Sequence, residues 1–298
     1  MKSSKALSVM VLSLSIALTG CYKTVRTVQL TTAPDVYRSA SVETLEKTVS
    51  DRDAAIKTLQ AEVLMTVTTG GGHIGQETEY TPLKGHIFVR KPGDLRVLML
   101  VPVLGSRAFD MVSDKDHFTL MYKNIHGGGD VWAQGPNNVT KPSPNKLENL
   151  RPPVFYDSLL VPGVMPGEKV ALPESTRLIQ PDKRGKPAIE EPDYDLLIMK
   201  PKSENVMQIE RIVHISRINM LPFRQDIYDD QGRVVTVASY DHYKDFNGQQ
   251  FPTLIQIDRP LDQLKMRIEI TNLQLNVQFD EDQFQLEVPA GVTVRQMQ

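Results

Sequence analysis

The chain has 298 residues, with 34 Lys and Arg against 36 Asp and Glu and a formal charge of −2. So mild a balance, with no basic cluster, excludes an electrostatic nucleic-acid surface. The length suits one large β domain or two small ones, and no period of about 20–50 residues marks an internal repeat.

In chain order, Lys2 and Lys5 precede an apolar run from Ala6 to Leu18, followed by Thr19, Gly20 and Cys21. The run is shorter than the ~20 apolar residues a spanning helix needs, so residues 1–20 read as a secretory signal. Leu18-Thr19-Gly20-Cys21 resembles the bacterial lipobox, which implies cleavage before Cys21 and diacylglycerol on its sulfur. The chain has one cysteine, so lipidation leaves no thiol for a disulfide in an oxidising compartment. Buried methylenes contribute about 0.8 kcal/mol each, so two or more acyl chains, palmitate among them, make a durable anchor. Tyr22 stands where an aspartate holds many such lipoproteins in the inner membrane, so the motif's rule implies an outer-membrane, periplasm-facing protein.

Residues 21–40 are polar and read as a flexible tether, and residues 41–298 as the folded domain. Val42, Leu45, Val49, Ile56, Leu59 and Val63 recur at helical spacing and predict an amphipathic helix from Val42 to Gln60. Ser41 is placed to cap it and Glu43 to meet its dipole.

Strands are expected over about 61–69, 79–90, 94–102, 106–114, 116–123 and 129–134. Later ones fall at about 175–181, 194–200, 208–217, 222–229, 233–243, 251–259, 263–278 and 284–288. Turns at Lys91-Pro92-Gly93-Asp94, Ser113-Asp114-Lys115-Asp116, Asp229-Asp230-Gln231-Gly232 and Asn247-Gly248 force antiparallel neighbours. A helical stretch between Asn145 and Leu160 is split by Pro152 and Pro153. Residues 173–192 read as an exposed loop with one short strand. Apolar residues sit on even positions from Leu264 to Ile270 and on odd ones from Leu273 to Phe279, which predicts a bulge near Thr271-Asn272. Leu95 to Val101 is apolar on both faces apart from Arg96, as in a strand covered on each side.

The ordered succession Leu221-Pro222-Phe223-Arg224-Gln225, Tyr228-Asp229-Asp230-Gln231-Gly232, Phe251-Pro252, Ile270-Thr271-Asn272 and Val288-Pro289-Ala290-Gly291-Val292 resembles the outer-membrane lipoprotein-sorting superfamily. Its members are the carriers and receptors called LolA and LolB. Gly85-His86-Ile87-Phe88-Val89-Arg90-Lys91-Pro92-Gly93-Asp94-Leu95-Arg96 extends the resemblance, which spans about Ser41 to Val294. It implies a mainly β fold with α: a curved, incomplete antiparallel β-barrel covered by helices, with an apolar cavity for acyl chains. The function implied is binding the acyl chains of lipoproteins or lipids during sorting or insertion at the outer membrane. The implied partners are the membrane and acylated lipoproteins or a periplasmic carrier. The alternative is an envelope sensor or structural interaction lipoprotein using the same fold with a filled cavity.

Candidate cavity-lining residues are Leu98, Leu100, Phe109, Met111, Leu120 and Met121. Methionines at 65, 99, 111, 121, 199 and 266 either adapt to variable guests or fill core. The resemblance also implies a membrane-contacting loop at Val101-Pro102-Val103-Leu104-Gly105, with Leu104 exposed. The competing reading is a tight turn with Leu104 folded back on the sheet.

No His-Glu-x-x-His, Gly-x-Ser-x-Gly or Gly-Lys-[Ser/Thr] motif occurs. His73, His86, His117, His126, His214 and His242 are scattered singly, without spacing for joint metal ligation. Asp114, Asp116 and His117 fit a hairpin turn better than a metal site. Gly70-Gly71-Gly72 and Gly127-Gly128-Gly129 lack the P-loop lysine and read as hairpin loops. The expectation is therefore no catalytic residue, no metal and no cofactor.

Overall fold

The computed structural model describes residues 31–33, 36–71, 75–124, 127–139, 141, 143–180 and 186–297. Residues 1–20, which the sequence reads as a signal, Cys21, His73, His126 and residues 181–185 lie outside them.

The chain divides into two compact units. The first, residues 1–34 and 178–190, contains β1 (Thr31–Thr32) running parallel to Ala188 and Ile189. The second holds the remaining residues. Its elements begin with helix α1 (Val42–Ala55), β2 (Thr58–Gly71), β3 (Gln76–Glu79), β4 (Leu83–Arg90) and β5 (Asp94–Leu100). β6 (Arg107–Ser113), β7 (His117–Lys123) and β8 (Asp130–Pro136) follow, then a 3-10 turn (Lys146–Asn149) and helix α2 (Pro152–Leu159). Next come β9 (Lys169–Ala171), β10 (Glu174–Ile179) and β11 (Ala188–Ser203), whose residues 178–179 and 188–190 are counted in the first unit, then β12 (Val206–Ser216) and β13 (Pro222–Tyr228). β14 (Val234–Phe246), β15 (Gln249–Arg259), β16 (Leu264–Leu275) and β17 (Val294–Gln296) complete it.

The strands make one large open sheet. From β11 to β16 each strand pairs antiparallel with the next. β16 then pairs with β2, β2 with β4, and β4 through β8 continue in order. β9 adds to the outer edge of β11, and β17 runs parallel to β8 at the other end. The β16–β2 pairing joins sequence ends through eleven residue pairs from Leu264↔Thr69 to Leu275↔Leu59. A shift between Ile270 and Asn272 leaves Thr271 as the extra residue, which is the expected bulge. The predicted hairpin turns link antiparallel neighbours as expected.

Alternation puts one parity of each strand on a buried face. Leu59, Ala61, Val63 and Met65 of β2 join Leu95, Val97 and Met99 of β5 and Met266, Ile268 and Ile270 of β16 in one core. α2 buries Val154, Phe155 and Leu159 in that same cluster. A second cluster sets Leu45 and Val49 of α1 against Tyr194, Leu196 and Ile198 of β11 and Val213 and Ile215 of β12.

α1 starts where predicted, with Ser41 Oγ accepting the Thr44 N–H at 3.3 Å and Glu43 in the first turn. It stops at Ala55, short of Gln60, because Leu59 and Val63 belong to β2. Those residues satisfy the helical and the two-residue period alike, and the pairing with β16 decides between them. Pro152 and Pro153 open α2 as its first two residues, where missing N–H groups cost nothing.

Other expectations need correction. The strand expected over 79–90 is two, β3 and β4. β5 is fully buried on one face only, since Arg96, Leu98 and Leu100 are half-buried. The strand expected over 284–288 is absent: Glu281–Phe284 is a 3-10 turn, and β17 forms the terminal strand. Phe279 meets Phe88 and Phe284 edge-on at 5.8 and 5.4 Å, and the Arg90 guanidinium lies 4.8 Å from the Phe284 ring centre. Phe284, the first residue of the expected strand, packs here in an aromatic cluster instead. Residues 37–39 are held by Arg217. Arg217 Nε donates to Arg38 O at 2.9 Å, Nη2 donates to Ser39 Oγ at 3.0 Å, and the guanidinium stacks on Tyr37 and Tyr194.

Candidate functional site

The loop between β5 and β6 is a built protrusion. Its base is closed by Val101 N–H donating to Ser106 O at 2.7 Å and Gly105 N–H donating to Val101 O at 3.0 Å. The register shifts between Met99 and Leu100 just before it. Val103 takes φ +69° and Gly105 φ +64°. The left-handed conformation suits glycine but costs a branched side chain about 1–2 kcal/mol. At the tip Val103 is fully exposed and Leu104 is 78 % exposed. Leu104 therefore points away from the sheet, and the folded-back reading falls. Two adjacent apolar side chains are held in water by a strained turn.

The six candidate lining residues do not share a face. Phe109, Met111 and Leu120 lie in the central core. Leu98 and Leu100 have the opposite parity to Leu95, Val97 and Met99 and are half-buried. Met121 is buried on the opposite parity to Leu120, as are Val112 and Trp132 on the neighbouring strands. Six residues split in this way cannot line a single cavity.

The hollow expected beneath the first helix is nearly filled. Between Arg52, Ile56, Leu159, Tyr240, Tyr243 and Phe251 about 40 Å³ remains, far below the ~300–1,000 Å³ of ligand sites. Arg52 Nη2 donates to Gln250 O at 2.8 Å beside the Tyr243 ring, and Tyr243 Oη donates to Pro222 O at 2.6 Å. Burial holds the Arg52 guanidinium below its usual range and raises the Tyr243 phenol. Met65, Met99, Met111, Met266 and Met297 stand in the wall of the packed core.

Of the single histidines, His214 has partners that the sequence did not reveal. Its Nδ1 lies 2.7 Å from Asp195 Oδ1 and its Nε2 3.5 Å from Asp226 Oδ2. The signal was the β11–β12 register, which sets Asp195 opposite His214. Arg224 holds Asp226 through two hydrogen bonds, so the group braces three strands. Asp114 Oδ1 accepts the Asp116 and His117 N–H groups at 2.8 and 2.7 Å, as a hairpin turn requires. Among the described residues no group of three His, Cys, Asp or Glu side chains is placed to hold a metal ion. Among them, too, no helix is long and apolar enough to cross a membrane.

No family model and no curated protein matches the chain. Solved structures do. A LolA superfamily protein from Nitrosomonas europaea is 11 % identical, with a TM-score of 0.48 covering 81 % of this chain and 97 % of its own. A DUF1329 family protein from Desulfovibrio piger is 13 % identical, with a TM-score of 0.45 over 82 % and 95 %. A putative outer membrane lipoprotein-sorting protein domain from Vibrio parahaemolyticus is 12 % identical, with a TM-score of 0.43 over 82 % and 97 %. Each is a likeness in the path of the chain.

Proposed function

We propose that the chain is a non-enzymatic envelope lipoprotein, anchored through Cys21, that touches a bilayer or the acyl chains of a lipoprotein with its Val103–Leu104 tip. The observation that carries the reading is the exposure of both side chains on a loop whose backbone is strained to present them. Burying a leucine side chain contributes about 1.5–3 kcal/mol, so a two-residue tip alone gives weak contact. The anchor supplies what the tip lacks, because tethering turns insertion into an intramolecular step at high effective concentration. Outer-membrane residence and a part in lipoprotein sorting or insertion belong to this proposal.

Carriage of an acyl chain inside the sheet is the second reading, and the packed interior counts against it. A 16-carbon chain gains on the order of 10 kcal/mol on burial, but the ~40 Å³ hollow has no room for it. The methionine-rich wall is the observation that favours this reading, since unbranched thioethers repack around guests. The test is flotation of residues 21–298 carrying Cys21→Ser, so that neither lipid nor the apolar run of residues 6–18 masks the tip, with vesicles of phosphatidylethanolamine and phosphatidylglycerol. Binding that Leu104→Glu abolishes supports the tip. Equal flotation of both proteins overturns it.

A further inference from the structure

A second site lies at the end of the sheet, away from the Val103–Leu104 tip. The turn at Pro92 and Gly93, the turn at Asp114 and Lys115, Asn137 after β8 and the first turn of α2 border an open hollow of about 300 Å³. That is the lower bound of small-molecule pockets.

Two polar atoms of its wall have no hydrogen-bond partner: Ser113 Oγ and Asn137 Oδ1. Ser113 is only 3 % exposed. A buried polar group left unpaired costs about 1–3 kcal/mol, so both atoms call for something that pairs with them. The Asn137 amide is oriented by its own contacts, its Nδ2 donating to Asp114 O at 2.6 Å and its backbone N–H to Asp116 O at 2.8 Å. That fixes Oδ1 as a lone acceptor.

The remaining wall is also rich in acceptors. The Asp114 carboxylate is held ionised, below its usual range, by the His117 and Asp116 N–H groups. Asp157 adds a second carboxyl beside the Tyr156 ring. Burial first, and then the charges of Asp53, Asp157 and Asp94, raise the Tyr156 hydroxyl to about 12. Asp53 is paired with Lys91 and Asp94 with Arg90, so the carboxyls of the wall itself are those of Asp114 and Asp157. Helix N-termini ordinarily offer N–H donors to anions, but here Pro152 and Pro153 occupy the first two positions and have none. Lys115 is the one cation of the wall, and its stem lies against Gly93 at the rim.

The acceptors and the aromatic face together select a flat cation carrying many N–H donors. We propose that this pocket binds a guanidinium group, either of a free guanidino compound or of an arginine side chain on a partner. Five fixed donors can meet Asn137 Oδ1, Ser113 Oγ and a carboxylate together while the plane stacks on Tyr156.

Calorimetric titration of the detergent-solubilised full chain with agmatine, and separately with N-acetyl-arginine methylamide, tests it. Saturable binding, weakened about tenfold or more by Asn137→Leu and by Asp157→Asn, is expected. Tighter binding of agmatine assigns the site to free ligands, and tighter binding of the capped arginine to a partner's side chain. Ser113→Ala separates loss of the site from loss of the fold. Its hydroxyl has no partner to lose, so Tm stays level or rises while affinity falls. No saturation by either probe at about 10 mM, or affinity unchanged in all three variants, overturns the proposal.

Discussion

Arg295 Nη1 lies 2.8 Å from Glu148 Oε1 and 3.0 Å from Oε2, joining the last strand to the 3-10 turn that precedes α2. Glu148 is 1 % exposed, and its carboxylate also accepts from Tyr122 Oη at 2.9 Å and from Ser143 Oγ. Burial, then the hydrogen bond to Glu148, raises the Tyr122 phenol to about 12. The C-terminal strand thus provides the cation for a carboxylate that water does not reach.

Arg295→Leu leaves that carboxylate with neutral donors alone. Because Arg295 is itself half in water, the expected loss is about 1–3 kcal/mol rather than that of a fully buried pair. Urea unfolding measures it. Adding Glu148→Gln should recover part of the loss, and a single variant as stable as the parent would show that the bridge contributes nothing.

The pH dependence follows from groups shifted in both directions. Burial raises Asp193 to about 6, with Glu191 and Asp195 adding to the rise and Arg177 opposing it; burial likewise raises Asp157 to about 6. Each binds its proton more tightly folded than unfolded, so stability falls as pH rises from about 4 through about 6. His214 is lowered by burial, but Asp226 and Asp195 outweigh that and raise it, so its contribution is present below the unfolded value and lost as pH rises through the folded one. In the opposite sense, Asp226 and Asp114 are held low and lose their contribution only in stronger acid. Tm should therefore be higher near pH 5 than near pH 8, and Asp193→Asn should flatten the difference. A Tm that climbs steadily from about pH 5 to about pH 8 would contradict the assignment.

At the tip, stability and function should separate. Val103→Gly removes a branched side chain from φ +69° and should stabilise the fold by about 1 kcal/mol. The same change deletes apolar surface and should weaken vesicle binding, whereas Val103→Ile should keep binding and strain alike. If Val103→Gly lowers Tm, the turn is not strained as described.

Much of this architecture was legible because it is local. Ser41 caps α1 since its side chain reaches an N–H three residues on, and the bulge at Thr271 was visible as a change of parity between Ile270 and Leu273. What was not legible depends on partners far away in sequence. Leu59 suited a helix until β16 paired with its strand. Leu98 and Leu100 alternate as regularly as Val97 and Met99, and only the position of α2 on one face says which parity is interior. The acceptor pocket gathers four separate segments, and an atom without a partner leaves no trace in composition.

Gly85 shows how tightly β4 and β5 approach. It pairs with Met99, and a Cβ built there would stand 2.1 Å from Leu98 O and 2.9 Å from Met99 Cα. Backbone atoms cannot swing aside as a side-chain end can, so Gly85→Ala must spread the two strands in the middle of the sheet. The expected cost is about 3 kcal/mol, at the upper end of overpacking effects. Gly167 is the control: at φ +92° with open space around it, Gly167→Ala meets only the conformational penalty of about 1–2 kcal/mol. Denaturant midpoints of the two variants distinguish a steric cause from a conformational one. Equal losses would mean that the β4–β5 spacing is softer than the close approach of Leu98 implies.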